Sequence, residues 1–278
     1  MNRRGFRRLK SGVMVAIMMV AVVVAVLPLV LILATLVAKG AGSINLAFFT
    51  QTPVPAGDTG GGVVHAIVGT LMIVGLAGLI GLPIGIGAGI YSAEFPGSRL
   101  TTVSGFLADV MNGTPSIVVG VFAWTWVVAT QGHFSGAAGS VALALIMIPM
   151  VMRTTEEMIN LVPHSLREAA LALGYPRWRT SLTVVVRTCL PGIVTGSLLA
   201  VARVAGETAP LLFTALGSQF LGFDLTRPMA ALPLAVYTYS TGPFEEWHRL
   251  AWATALVLIL VVLVLSLAAR WATRERFE

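Results

Sequence analysis

Two ionisable side chains stand four residues apart in an otherwise apolar run, Ala202-Arg203-Val204-Ala205-Gly206-Glu207-Thr208-Ala209-Pro210-Leu211-Leu212-Phe213-Thr214-Ala215. In a membrane such charges cost about 2.5–3.5 kcal/mol each on insertion scales, so they persist only where a partner, a ligand or water compensates them. The guanidinium of Arg203 is a planar fork that matches the geometry of a phosphate. On a continuous helix Glu207 shares its face and is expected to pair with it. Pro210 lacks an N–H and clashes with the carbonyl of Gly206, so the helix is expected to bend or open beside Glu207, where Thr208 adds a hydroxyl. One reading is a structural ion pair that fixes helix packing. The other is an oxyanion contact. In that case Glu207 can accept the proton carried by hydrogen phosphate, which sulfate lacks at neutral pH.

A second interruption, Asn112-Gly113-Thr114-Pro115-Ser116, breaks another apolar run. Broken backbone at membrane depth survives where protein or a water-filled cavity satisfies it. Asn112, Thr114 and Ser116 are therefore candidates to line a pathway, against the alternative of a simple kink. Gly81, Gly85 and Gly89 form two overlapping GxxxG pairs, a pattern that lets helix backbones approach closely in lipid.

These groups need elements to hold them, and the composition says which. Of 278 residues 56% are hydrophobic and only 11% charged, against about 25% charged in a soluble domain. The chain reads as an all-α membrane protein with six transmembrane helices, at roughly 13–38, 63–91, 101–129, 138–153, 191–216 and 250–270. The first apolar run is too long for the h-region of a signal peptide, which is about 7–15 residues, and reads as a retained span.

Fourteen of the 18 Lys and Arg fall on one side of that arrangement: the N-terminal tail, Arg99, the 153–187 stretch and the C-terminal tail. The positive-inside rule puts that side, with both termini, in the cytoplasm. The stretch from Thr154 to about Thr188 then reads as a long cytoplasmic loop, and Gly217–Trp247 as an outer one. The net charge of +6 follows topology, and no nucleic-acid partner is expected. The single cysteine, Cys189, excludes an internal disulfide and a multi-cysteine metal site. No catalytic residue and no metal site are assigned. Asp58-Thr59-Gly60 matches a protease triplet but reads as a turn in a Gly-rich loop. The chain contains no GxxxxGK[ST], HExxH or GxSxG pattern.

The cytoplasmic loop contains Pro163-His164-Ser165-Leu166-Arg167-Glu168-Ala169-Ala170-Leu171-Ala172-Leu173-Gly174-Tyr175-Pro176. Pro163 suits a helix start. Leu166, Ala169, Ala170 and Leu173 make a narrow apolar stripe, and Gly174 with Pro176 marks the stop. A short amphipathic helix outside the membrane is expected. Glu168-Ala169-Ala170, three residues, then Gly174 resembles the EAA loop of binding-protein-dependent ABC importer permeases. The family often has Ile-x-Leu-Pro further on; at that spacing this chain has Val184-Val185-Val186-Arg187. The 202–215 run, the 165–174 run and Leu232-Pro233 resemble more narrowly the PstA-type permeases of phosphate importers, over about residues 63–270.

That resemblance implies a type I ABC importer permease fold, a five-helix core plus an N-terminal helix, in the bacterial inner membrane. It implies residues 1–62 as tail, first span and outer loop, 63–271 as the permease domain and 272–278 as a cytoplasmic tail. The loop helix becomes a coupling helix, with Arg167, Glu168, Ala169, Ala170, Leu173 and Gly174 at the ATPase contact. The implied partners are a PstC-like second permease, two PstB-like ATPases that bind ATP and Mg, and an external PstS-like phosphate-binding protein. The implied substrate is phosphate, with sulfate or molybdate as the rival oxyanions, and Arg203, Glu207 and Thr208 lie on its path.

Overall fold

The computed structural model describes residues 3–55 and 60–274; Asp58 and Thr59, read as part of a turn, lie outside the described residues. Eleven helices are described: α1 (Arg3–Gly40), α2 (Leu46–Thr50), α3 (Val64–Glu94), α4 (Arg99–Gly113), α5 (Ser116–Gln131), α6 (Gly136–Asn160), α7 (His164–Ala172), α8 (Arg177–Val204), α9 (Ala209–Thr214), α10 (Leu232–Thr241) and α11 (Glu245–Arg274). The only extended pairing among the described residues is a single bridge between Leu216 and Met229. Five of the helices are long and apolar enough to cross a membrane, and the α4–α5 pair makes a sixth crossing if it counts as one span.

The centre is the pair α3–α6. One face of α3 carries Gly81, Gly85 and Gly89, and α6 lies directly on it. A Cβ at Gly85 would sit 2.8 Å from Val151 Cβ, and one at Gly89 would sit 2.6 Å from the Met152 carbonyl oxygen. The GxxxG stripe is thus the seam of the fold. Gly75 and Gly87 on the same helix face open space. Ile73, Ala77, Leu143, Met147 and Val151 continue the core from the seam, and α8 and α9 close it with Ala200, Val204 and Leu211. By contrast α1 stands apart. Leu36 and Gly40 are buried, Gly40 against Trp252 of α11, while the apolar residues from Val13 to Leu33 remain exposed.

Three of the six expected spans have different bounds from those read in the sequence. The third is not one helix: α4 and α5 meet at 110° across Thr114-Pro115. Pro115 lacks an N–H and biases Thr114 to extended backbone, and both effects end α4 there. The fourth runs Gly136–Asn160 rather than stopping at 153. Arg153, which looked like its cytoplasmic end, sits inside the helix because carboxylates from α4 and α6 satisfy it.

The fifth span is Arg177–Val204, displaced toward the N-terminus from 191–216. A π-helical stretch at Thr180–Val185 keeps that helix continuous through residues assigned to the loop. The loop expected over 154–188 therefore shrinks to α7 and its flanking turns, and residues 205–216 fall outside the long helix.

Candidate functional site

The break after α8 has a local cause. α8 ends at Val204, and Ala205 to Thr208 form an irregular turn before α9, which has Pro210 at its second position. A helix accepts Pro in its first turn, where the missing N–H has no intrahelical acceptor. The opening expected beside Glu207 is therefore present.

The ion pair expected between Arg203 and Glu207 is not. Pairing at i, i+4 requires both residues on one helix. Arg203 is in the last turn of α8 and Glu207 lies beyond it. Neither side chain makes a hydrogen bond or salt bridge among the described residues. Val204 and Ala200 point into the core, whereas Arg203 is exposed and Glu207 is half-buried. Thr208 is also half-buried, at the entry to α9.

The second break lies on the element that packs against this one. At Gly120 the backbone of α5 comes so close to α9 that a Cβ would lie 2.6 Å from Pro210 Cα. At the α4–α5 break, Asn112 at the end of α4 is exposed, and Thr114 and Ser116 are half-buried. The Thr114 hydroxyl donates to the Val110 carbonyl at 2.7 Å, which ties it to its own helix. The packing joins the two interrupted segments, yet no hydrogen bond connects Asn112, Thr114 or Ser116 with Arg203, Glu207 or Thr208 among the described residues.

From the other side, the segment after α9 fixes the start of α6. Leu216 has φ 60° and Gly217 φ 96°, which reverses the chain. The segment then supplies carbonyls to the unsatisfied N–H groups at the head of α6: Arg227 to Gly136 at 2.9 Å and Leu225 to Ala137 at 2.8 Å. The Ser135 hydroxyl accepts from the Ala138 N–H at 3.1 Å. The Thr70 hydroxyl of α3 accepts from the Leu232 N–H at 2.7 Å and seats α10. Composition alone did not point to these anchors.

The loop helix α7 is present with the expected stop. Gly174 has φ +86°, its N–H bonds to the Leu171 carbonyl at 2.9 Å, and the Tyr175 N–H bonds to the Ala170 carbonyl at 3.2 Å. This is a Schellman closure. The six residues assigned to the ATPase contact divide. Glu168, Ala169, Leu173 and Gly174 are exposed, Leu173 at 79%. Ala170 faces the body at 6% exposure. Arg167 turns inward and forms a salt bridge with Glu94 at the end of α3. Its position makes it the strut that carries α7.

A second charge cluster was not foreseen. Arg153 of α6 donates to both oxygens of Asp109 on α4, at 3.0 and 2.6 Å, to Glu156 at 2.8 Å and to the Gly105 carbonyl at 2.8 Å. Asp109 is 44 residues away in sequence, so spacing gave no signal. On the opposite end, Asp224 accepts from the Thr226 hydroxyl at 2.6 Å, and that bond holds its carboxyl below the usual range.

The chain matches the family described as binding-protein-dependent transport system inner membrane component over residues 85–276. It is 47% identical to the phosphate transport system permease protein PstA of Yersinia pestis, over 97% of this chain and 92% of the relative. It is 43% identical to PstA 1 of Mycobacterium tuberculosis strain H37Rv, over 78% and 72%. The MetNI methionine ABC transporter, solved in inward-facing conformations, shares the fold at a TM-score of 0.63 and 19% identity, over 77% of this chain and 95% of that one. The chain belongs to the binding-protein-dependent transport system inner membrane components and, within them, to the PstA family of phosphate transport system permeases.

Proposed function

We propose that this chain is one of two unlike permeases in an ATP-driven phosphate importer of the bacterial plasma membrane, and that Arg203 lies on the phosphate path. The observation that carries this reading is an exposed guanidinium, unpaired among the described residues, beside a helix break. Left against lipid it would cost several kcal/mol, so the assembled transporter must surround it with water, a second subunit or an anion. An arginine fork fits the last of these well. Glu207 then stands close enough in the chain to accept the proton of hydrogen phosphate, a discrimination that sulfate fails.

The relatives' names support phosphate, and the fold supports an assembly with a second permease and ATPase subunits. The finer partners proposed are a PstC-like permease, a PstB-like ATPase pair that holds ATP and Mg, and a PstS-like binding protein on the outer face. The distribution of Lys and Arg supports a cytoplasmic position for both termini. Closure of the ATPases then pushes on α7. The strut from Arg167 to Glu94 passes that displacement into α3, which carries the seam with α6. Outward opening admits phosphate past Arg203, Glu207 and the α4–α5 break.

The test is ATP-dependent phosphate uptake by the complete transporter in proteoliposomes with sulfate as competitor. Uptake that requires ATP and resists excess sulfate is expected. Block by sulfate would keep the importer and move the substrate to another oxyanion.

A further inference from the structure

At the end of the molecule formed by the C-terminus of α1 and the N-terminus of α11, a cleft of about 600 Å³ opens between α1, α10 and α11. Lys39 of α1 and Glu245 and His248 of α11 line it with Ser240, over an apolar floor that includes Val236 and Ala255. The break, the seam and α7 use none of these residues.

Lys39 and Glu245, which face the cleft from α1 and α11, do not pair with each other among the described residues. Lys39 holds its ammonium over the Trp252 ring, 4.9 Å from the centroid. It forms no salt bridge with Glu245 or any other carboxylate among the described residues. His248 Nε2 lies 2.8 Å from the Gly242 carbonyl, a bond that requires the proton on Nε2. Its Nδ1 faces Glu245 at 3.7 Å. The cleft thus has a cationic wall on α1 and an anionic lip on α11, with a gap between them.

We propose that this cleft binds the headgroup of a zwitterionic aminophospholipid, with the phosphate toward Lys39 and the ammonium toward Glu245. The surroundings fit a lipid. Trp252 lines the cleft beside Lys39, and Trp247 packs edge-on against Phe244 and against Tyr239 of α10, an aromatic cluster of the kind that collects at a membrane interface. Below it, α1 leaves α11 and exposes apolar side chains along most of its length. Acyl chains have a surface to follow there. Free phosphate would meet the Glu245 carboxylate with no positive group of its own to answer it, whereas a zwitterion satisfies both walls.

The test uses the complete transporter, purified from lipid nanodiscs holding equal phosphatidylethanolamine and phosphatidylglycerol, with retained lipid measured by native mass spectrometry. Wild type should keep phosphatidylethanolamine in preference to phosphatidylglycerol. The double variant Lys39→Gln, Glu245→Gln should lose most of that preference, and the single variant Lys39→Arg, which keeps both charges, should retain it. Val236→Phe fills the floor without touching a charge and should also release the lipid; it decides the matter if the double variant does not assemble. Equal retention in the filled-cleft variant, or no preference between the two lipids in wild type, would overturn the proposal. So would Lys39-dependent binding of radiolabelled inorganic phosphate in lipid free of phosphatidylethanolamine, with no such lipid retained.

Discussion

Arg153 and Arg203 both stand in long apolar helices, and they meet opposite conditions. Arg153 has four hydrogen bonds, three of them to carboxylate oxygens, and joins α4 to α6. Arg203 has none from its side chain among the described residues, although Glu207 follows four positions later. The first is complete within the chain and serves the fold. The second is left open by a helix break and is available to something outside the chain. A charge in a membrane protein is best read by what remains unsatisfied around it.

Reversing the charge at the open site is the harshest way to break this contrast. Arg203→Glu would set two carboxylates at the break, and uptake should vanish while the transporter still assembles, as read by co-purification of its subunits. Glu207→Gln should be milder. A lost hydrogen bond to a charged group is worth about 1.5–3 kcal/mol, so selectivity for phosphate over sulfate should fall roughly 10- to 100-fold in competition uptake, with assembly unaffected.

The closed site should give the reverse pattern. Arg153→Met strands Asp109 and Glu156 and should cost about 1–3 kcal/mol of stability, since the pair is partly exposed. The readout is a lower thermal midpoint of the purified complex, with uptake per assembled transporter little changed. Arg167 is intermediate. A double-mutant cycle of Arg167→Gln and Glu94→Gln should show coupling of about 1 kcal/mol in stability, and each single variant should loosen ATP hydrolysis from uptake.

The smallest effect is at Asp224. Thr226→Ala removes the hydroxyl bond, so the carboxyl should titrate nearer its ordinary range in an NMR pH series. Because its folded pKa lies below the unfolded one, the loop stabilisation it gives is present at neutral pH and fades as pH falls through the folded value. The variant should reduce that acid-sensitive part.

How much of this could be read in the sequence depended on range. The stop of α7 was legible because Gly174 and Pro176 act on their own backbone. The opening before α9 was legible because Pro210 acts on the turn before it. The pairing of Arg203 with Glu207 failed for the same reason: i, i+4 spacing presumes the continuous helix that Pro210 interrupts. The inward turn of Arg167 was hidden because Glu94 is 73 residues away. Arg153 misplaced a span end because an arginine reads as an interface marker until its carboxylates are found. The GxxxG stripe named the tight face of α3, but only the packing named α6 as its partner.

The central claim is that Arg203 is open for phosphate while Arg153 is closed for structure. Radiolabelled phosphate uptake in cells that depend on this chain tests it most directly, with wild type, Arg203→Gln and Arg153→Gln compared per assembled transporter. The expected result is uptake reduced roughly 10- to 100-fold by Arg203→Gln, as for a lost charge-assisted bond, and near wild type per assembled complex for Arg153→Gln. Normal uptake with Arg203→Gln would contradict the account and make that arginine a structural residue.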